Sequence, residues 1–191
     1  MPEESLNNMI KKFERIDRKI VRKSNILTYC DDTLRLPDGR TVVYDTMVHN
    51  GAAAVIAVTD EGKIVMVRQY RHTFDRVTLE IPAGGRNGDE EYIDAAIREL
   101  REEAGYNCSE IEYFMTIDTA IAYCDEKIEV FLAKGLTKTK QDLDPDEFIE
   151  VEEYELDDLI GRIFKGEIMD SKTVSAIMTY YGFQCKMTHL I

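Results

Sequence analysis

The sequence predicts an α+β domain behind a β-rich N-terminal extension, and three observations carry that reading. Ala52 to Val58 is an unbroken apolar run of strand length, suited to burial on both faces. One long amphipathic helix, about Glu90 to Ala104, interrupts a series of strands. The first quarter of the chain alternates apolar and polar residues around a turn.

In chain order, Glu3 to Phe13 reads as a short polar helix. Lys19 to Cys30 and Thr33 to Leu36 alternate as strands do, Pro37-Asp38-Gly39-Arg40 has turn chemistry, and Thr41 to His49 is the return strand. After the run at Ala52, Asp60-Glu61-Gly62 signals a hairpin with Lys63 to Tyr70 as partner strand. Thr78 to Ile81 is a short strand ending at Pro82. In the helix, Ile93, Ile97, Leu100 and Ala104 recur at spacings of four, three and four and predict one buried stripe, which Gly105 terminates. Strands follow at Ile111 to Thr116 and Lys127 to Ala133, then a polar loop from Thr137 to Glu147 containing Pro145. Phe148 to Glu155 is the last strand, and helices at Leu156 to Lys165 and Ser171 to Tyr181 close the chain. The division expected is residues 1–50 as extension and 51–191 as the main domain.

Composition excludes several classes of function. Lys and Arg number 24 against 37 Asp and Glu, a net charge of −13, so the cationic excess that binds nucleic-acid phosphates is missing. An acidic enzyme with an anionic substrate must concentrate its cations locally or bridge through a metal. No stretch approaches the length of a membrane span, and the charged N-terminus has no apolar signal-peptide core. Cys30, Cys108, Cys124 and Cys185 are widely spaced with no CxxC, which suits reduced, apolar filler thiols in a cytoplasmic protein better than a zinc site.

The chemistry concentrates in the helix. Spacings of three and four put Glu99, Glu102 and Glu103 on one face, where like charges repel unless Arg98 or a bound cation compensates. Carboxylate oxygens suit hard ions such as Mg²⁺ or Mn²⁺. Pro82-Ala83-Gly84-Gly85 leads in from a strand, with glycines that allow close backbone approach.

Gly84, five residues, Glu90, seven residues, then Arg98-Glu99-Leu100-Arg101-Glu102-Glu103-Ala104-Gly105-Tyr106 resembles the Nudix box at every position. The resemblance implies a Nudix fold, a mixed β-sheet sandwiched between helices. It implies Glu99, Glu103 and Glu102 as ligands of Mg²⁺ (or Mn²⁺), with the carbonyl of Ala83 as a backbone ligand. It gives Gly84, Glu90, Arg98 and Gly105 structural roles in the box. Val67-Arg68-Gln69-Tyr70-Arg71, Leu79-Glu80-Ile81-Pro82-Ala83-Gly84, Asp125-Glu126-Lys127-Ile128, and Gly166-Glu167-Ile168 with Lys172-Thr173 are similar to the ADP-ribose pyrophosphatase group. That likeness implies a homodimer whose N-terminal parts exchange and help to form the site. One departure is Thr119-Ala120-Ile121-Ala122, where the group usually carries a proline-rich turn associated with ADP-ribose preference.

The implied reaction is attack of water on the pyrophosphate of a nucleotide sugar, releasing AMP and ribose 5-phosphate from ADP-ribose. GDP-mannose or another nucleotide sugar is the alternative, and a nucleoside triphosphate a further one. The proton acceptor expected is Glu147 in the acidic loop, with Asp146 in reserve and Glu102 as a further catalytic candidate. Arg71, then Arg68, are the candidates for substrate phosphate, since a guanidinium fork matches phosphate oxygens. Alternation puts positions 68 and 71 on opposite faces unless the strand ends at Tyr70.

Overall fold

A computed structural model describes residues 11–188 of the chain, so the helix expected over Glu3 to Phe13 lies largely outside the described residues. The chain forms two compact units: the described part of Met1–His49 together with Ala120–Glu126, and Asn50–Thr119 with Lys127–Ile191.

The first unit is an antiparallel meander of β1 (Glu14–Lys23), β2 (Leu27–Arg35) and β3 (Thr41–His49). The single strand expected over Lys19 to Cys30 is therefore two strands. Ser24 turns the chain: its Oγ accepts the Leu27 N–H at 3.0 Å, and its own N–H reaches the Leu27 carbonyl at 2.8 Å. The return at Leu36–Arg40 needs Gly39 at φ 88°, a backbone region that costs glycine nothing. Asp32 is buried here because Arg18 grips both its oxygens at 2.6 and 2.5 Å and Thr46 donates a third bond. Ile20, Val21, Val43 and Tyr44 stay exposed on this sheet.

The second unit holds two sheets. One has the order β7 (Ala83–Gly85), β4 (Ala52–Ala57), β9 (Lys127–Lys138), β8 (Tyr106–Asp118); the other has β10 (Ile149–Tyr154), β5 (Ile64–Arg71), β6 (Arg76–Glu80). The apolar run at Ala52 is fully buried, as its composition requires. Its two faces feed separate cores. Ala52, Ala54 and Ile56 pack with residues of α2 (Leu156–Phe164) and α3 (Ser171–Thr188), while Ala53, Val55 and Ala57 pack with α1 (Tyr92–Ala104). Helices thus cover both faces of a mixed sheet, as expected.

Three expectations need correction. β5 is not the partner strand of β4: beyond the bridge Val58–Ile64 the two strands diverge, and β5 pairs with β6 and β10 instead. The glycine turn predicts the reversal of the chain but not which sheet receives the strand. The buried face of α1 is also not the isoleucine stripe. Ile93 and Ile97 are 38 and 39 % exposed, and Ala95, Ala96, Glu99, Leu100, Glu103 and Ala104 are buried. Alanine pairs let the helix lie close to the sheet, and the carboxylates have a polar place to go. Of the four cysteines, all free thiols, Cys30 is buried and Cys108 packs half-buried against the core beside α1, whereas Cys185 is exposed and so is not core filler. No helix among the described residues is long and apolar enough to cross a membrane.

Candidate active site

The site grows from one stretch of chain, Glu80 to Glu103, in the second unit. β6 ends at Glu80, Pro82 follows, and Ala83–Gly85 adds the short strand β7 to the edge of β4. The Ala83 N–H donates to Glu103 Oε2 at 2.8 Å, which aims that carboxylate back at the strand end. A Cβ built on Gly84 would stand 2.1 Å from Glu99 Oε1, so the glycine makes the room in which the second carboxylate sits. Gly105 closes the helix at φ 67°, with its N–H on the Arg101 and Leu100 carbonyls.

The loop between β7 and α1 is held in part by Asn50 and Arg86, which sequence reasoning did not single out. Asn50 Nδ2 donates to the carbonyls of Arg86 at 3.1 Å and Gly88 at 2.6 Å. Arg86 donates to the carbonyls of Glu90 and Asn50 and lies 4.3 Å from the centre of the Tyr92 ring. Glu90 accepts the Asn87 N–H at 3.0 Å and both Nε and Nη2 of Arg98 at 3.0 Å. Arg98 is the hub: it also donates to Glu99 at 2.5 Å, to Glu102 at 3.0 Å and to the Gly85 carbonyl at 2.8 Å. Glu90 and Arg98 are thus paired with each other, eight positions apart.

Burial disfavours charge on the inner carboxyls. Burial pushes Glu99 up, against the pull of Arg98. Burial pushes Glu103 up to about 8; the charges of Glu99 and Glu147 add to this, and the Ala83 N–H and Lys172 oppose it. Buried carboxylates crowded in this way fit a hard cation, which would neutralise them and use oxygen ligands. Glu102 is turned elsewhere, with Oε2 on Arg98 and Oε1 on Arg101 at 3.0 Å. Among the described residues no three such side chains are already gathered at metal-ligand distance.

Arg71 and Arg68 stand on opposite faces of β5, since the strand runs through Arg71. Arg71 donates through Nε and Nη2 to Glu80 at 2.8 and 2.7 Å, on the face of Glu103, whose charge it feels. Arg68 pairs with Glu152 at 3.1 Å and Glu150 at 3.5 Å. Glu80 is itself buried; burial pushes it up, but Arg71, Lys172 and Thr78 together hold it at about 2.

Glu147 is brought near the helix by its loop. Gln141 Nε2 donates to the carbonyls of Glu103 at 2.6 Å and Ile149 at 3.3 Å, and the Asp142 N–H reaches the Glu102 carbonyl at 3.1 Å. Glu147 then accepts the Asp144 N–H at 3.0 Å and acts electrostatically on both Glu99 and Glu103. It borders a recess of about 640 Å³ lined also by Arg68, Tyr70, Val77 and Phe148. Nothing in the spacing of Gln141 announces its role, because its partners are backbone carbonyls distant in sequence.

Comparison with known proteins gives relatives that span most of the chain. The chain is 41% identical over 160 residues to "Methanol dehydrogenase activator" of Bacillus methanolicus, covering 83% of this chain and 86% of the relative. It is 39% identical over 170 residues to "ADP-ribose pyrophosphatase" of Bacillus subtilis (strain 168), covering 85% and 91%. A crystal structure of ADP compounds hydrolase superposes with a TM-score of 0.83 over 95% of this chain and 98% of the other, at 20% identity, and so shares the fold. The NUDIX domain description matches residues 48–175, which contain every carboxylate of this site, and the chain therefore belongs to the Nudix hydrolase family.

Proposed function

We propose that the chain hydrolyses the pyrophosphate of a nucleoside diphosphate sugar, ADP-ribose first, to AMP and ribose 5-phosphate. The observation that carries the reading is the pair of buried carboxylates, Glu99 and Glu103, packed against the backbone at Ala83 and Gly84. The similarity to a pyrophosphatase named for ADP-ribose supports the substrate.

Glu99, Glu103 and the Ala83 carbonyl would hold Mg²⁺, or Mn²⁺ in its place, and Glu102 would join them by leaving Arg101 and Arg98. When bound, the ion lowers the pKa of a water and neutralises charge on the bridging phosphates. Glu147, on its tethered loop, accepts the water's proton, with Asp146 the neighbouring alternative. Arg71 keeps free the guanidinium N–H groups that Glu80 does not use, and directs them to a substrate phosphate. Arg68, on the other face of the strand, belongs to the rim of the recess.

The exposed Ile20, Val21, Val43 and Tyr44 of the first unit support a homodimer made through the N-terminal extension, in a cytoplasmic protein. Thr119–Ala122, in place of a proline turn, keeps GDP-mannose as the alternative substrate. The 41% identity to a methanol dehydrogenase activator supports a second reading, in which the same hydrolase acts on behalf of a dehydrogenase partner. The test is a hydrolysis panel under Mg²⁺ with ADP-ribose, GDP-mannose, UDP-glucose, NADH and diadenosine compounds. AMP and ribose 5-phosphate are the expected products from ADP-ribose; inorganic pyrophosphate from nucleoside triphosphates, with no turnover of the panel, would overturn the proposal.

A further inference from the structure

Glu80, Asp170, Lys172 and Thr173 form a cluster that the chemistry above does not use. Asp170 Oδ2 accepts the N–H of Thr173 at 3.0 Å, its hydroxyl at 2.6 Å and the Lys172 ammonium at 2.8 Å, at the start of α3. Lys172 donates onward to Glu80 at 2.5 Å. Thr173 Oγ1, donating to Asp170, also accepts the Ile81 N–H at 3.0 Å. Lys172, Thr173 and Glu80 are all buried. A buried charge cluster is a weak device for stability, since apolar residues of the same volume often serve as well or better.

Its position suggests another purpose. Four consecutive residues are held from three directions. α3 holds Glu80 through Lys172 and Ile81 through Thr173. β4 holds Pro82, whose carbonyl accepts the Val55 N–H at 2.9 Å. α1 meets Ala83, whose N–H aims Glu103. Pro82 has a fixed φ, so one fewer torsion is left between Ile81 and Ala83 to absorb a displacement. Glu80 at the same time fixes the guanidinium of Arg71 with its two oxygens. The Lys172 charge also reaches Glu103.

We infer that Lys172 and Thr173 are positioning residues: a clamp from α3 that sets the place of the Ala83 backbone against Glu103, and of Arg71 against the substrate. The inference rests on the metal-dependent hydrolase reading above. Partners that orient metal ligands without touching the metal change affinity or activity by about 10–100-fold when lost.

The test uses the full chain and four variants, Thr173→Val, Thr173→Ser, Lys172→Met and the double variant Glu80→Gln with Lys172→Met. Mn²⁺ binding is titrated by electron paramagnetic resonance, kcat and KM are measured separately, and melting is followed in each. Thr173→Val and Lys172→Met should weaken Mn²⁺ binding about 10–100-fold and lower kcat more than they raise KM. Thr173→Ser, which keeps the hydroxyl, should return both to within a few-fold of wild type. If Lys172→Met folds poorly, the double variant removes both buried charges and should melt nearer wild type, with Mn²⁺ affinity still low. Folded Thr173→Val and double variants with wild-type Mn²⁺ affinity and kcat would overturn the clamp. A wild-type chain that binds Mn²⁺ but hydrolyses no nucleotide sugar removes the substrate reading alone. The Mn²⁺ titrations then still decide the clamp, weaker binding in the variants upholding it and equal binding overturning it.

Discussion

Glu103→Gln separates stability from function at the centre of this site. In the metal-free chain the folded carboxyl loses its proton near pH 8, against the ordinary 4.5 of a glutamic acid. Between those values the folded state holds a proton that the unfolded state has released, so stability falls as pH rises. The loss grows by about 1.4 kcal/mol for each pH unit, which makes roughly 3 kcal/mol at pH 7 and levels off above pH 8. Glutamine carries no charge at any of these pH values and can still accept the Ala83 N–H, so the variant escapes that loss. In EDTA, Glu103→Gln should melt above wild type at pH 7, by several degrees for a chain of this size, and the gap should narrow toward pH 5. With Mg²⁺ the order should invert, because the ion stabilises only the chain that binds it. Mg²⁺-dependent turnover should fall by at least about 100-fold, since outlying supports alone account for that much. Differential scanning fluorimetry across pH, with and without Mg²⁺, gives the comparison. A variant that melts below wild type in EDTA at pH 8, or that keeps wild-type turnover, would refute the reasoning.

Three further outcomes are expected. Because Glu99 and Glu103 are both pushed up, Mg²⁺ binding must displace protons; the half-saturating Mg²⁺ concentration should fall as pH rises from 6 to 8, and calorimetry in buffers of different ionisation heat should detect the release. Gly84→Ala should drive Glu99 from its place, since the new carbon would stand 2.1 Å from an oxygen of that side chain; at least about a ten-fold loss of metal affinity is expected, and titration showing wild-type affinity would contradict the packing. Glu80 is held at about 2 by Arg71 and Lys172 despite burial, so its contribution is fully present above pH 4.5 and drains away as pH falls toward 2. Acid denaturation of Glu80→Gln should therefore be shallower than that of wild type, and parallel curves would refute the assignment.

The parts of the site that could be read from the chain are those whose partners are near in sequence. Gly84, Glu90, Arg98, Glu99 and Glu103 lie within one strand-loop-helix, so their spacing already states which side chains share a turn. The apolar run at Ala52 was equally legible, because a strand buried on both faces has no alternation to show. The isoleucines of α1 misled for the same local reason. Periodicity names a stripe, but which stripe is buried depends on what the sheet offers. Here it accepts Ala95, Ala96 and Leu100 and leaves Ile93 and Ile97 half exposed.

Residue order alone therefore specified most of the strands, the three helices of the second unit, the box carboxylates and the family they belong to, because each follows from short-range periodicity and chemistry. Folding in three dimensions settled the rest: that β5 leaves β4 for another sheet, that Arg71 serves Glu80, that Gln141 ties the Glu147 loop to α1, and that Lys172 reaches Glu80 across 92 positions of chain. Those contacts form only when distant segments are packed together, and burial then strengthens each charge pair beyond what its spacing could announce.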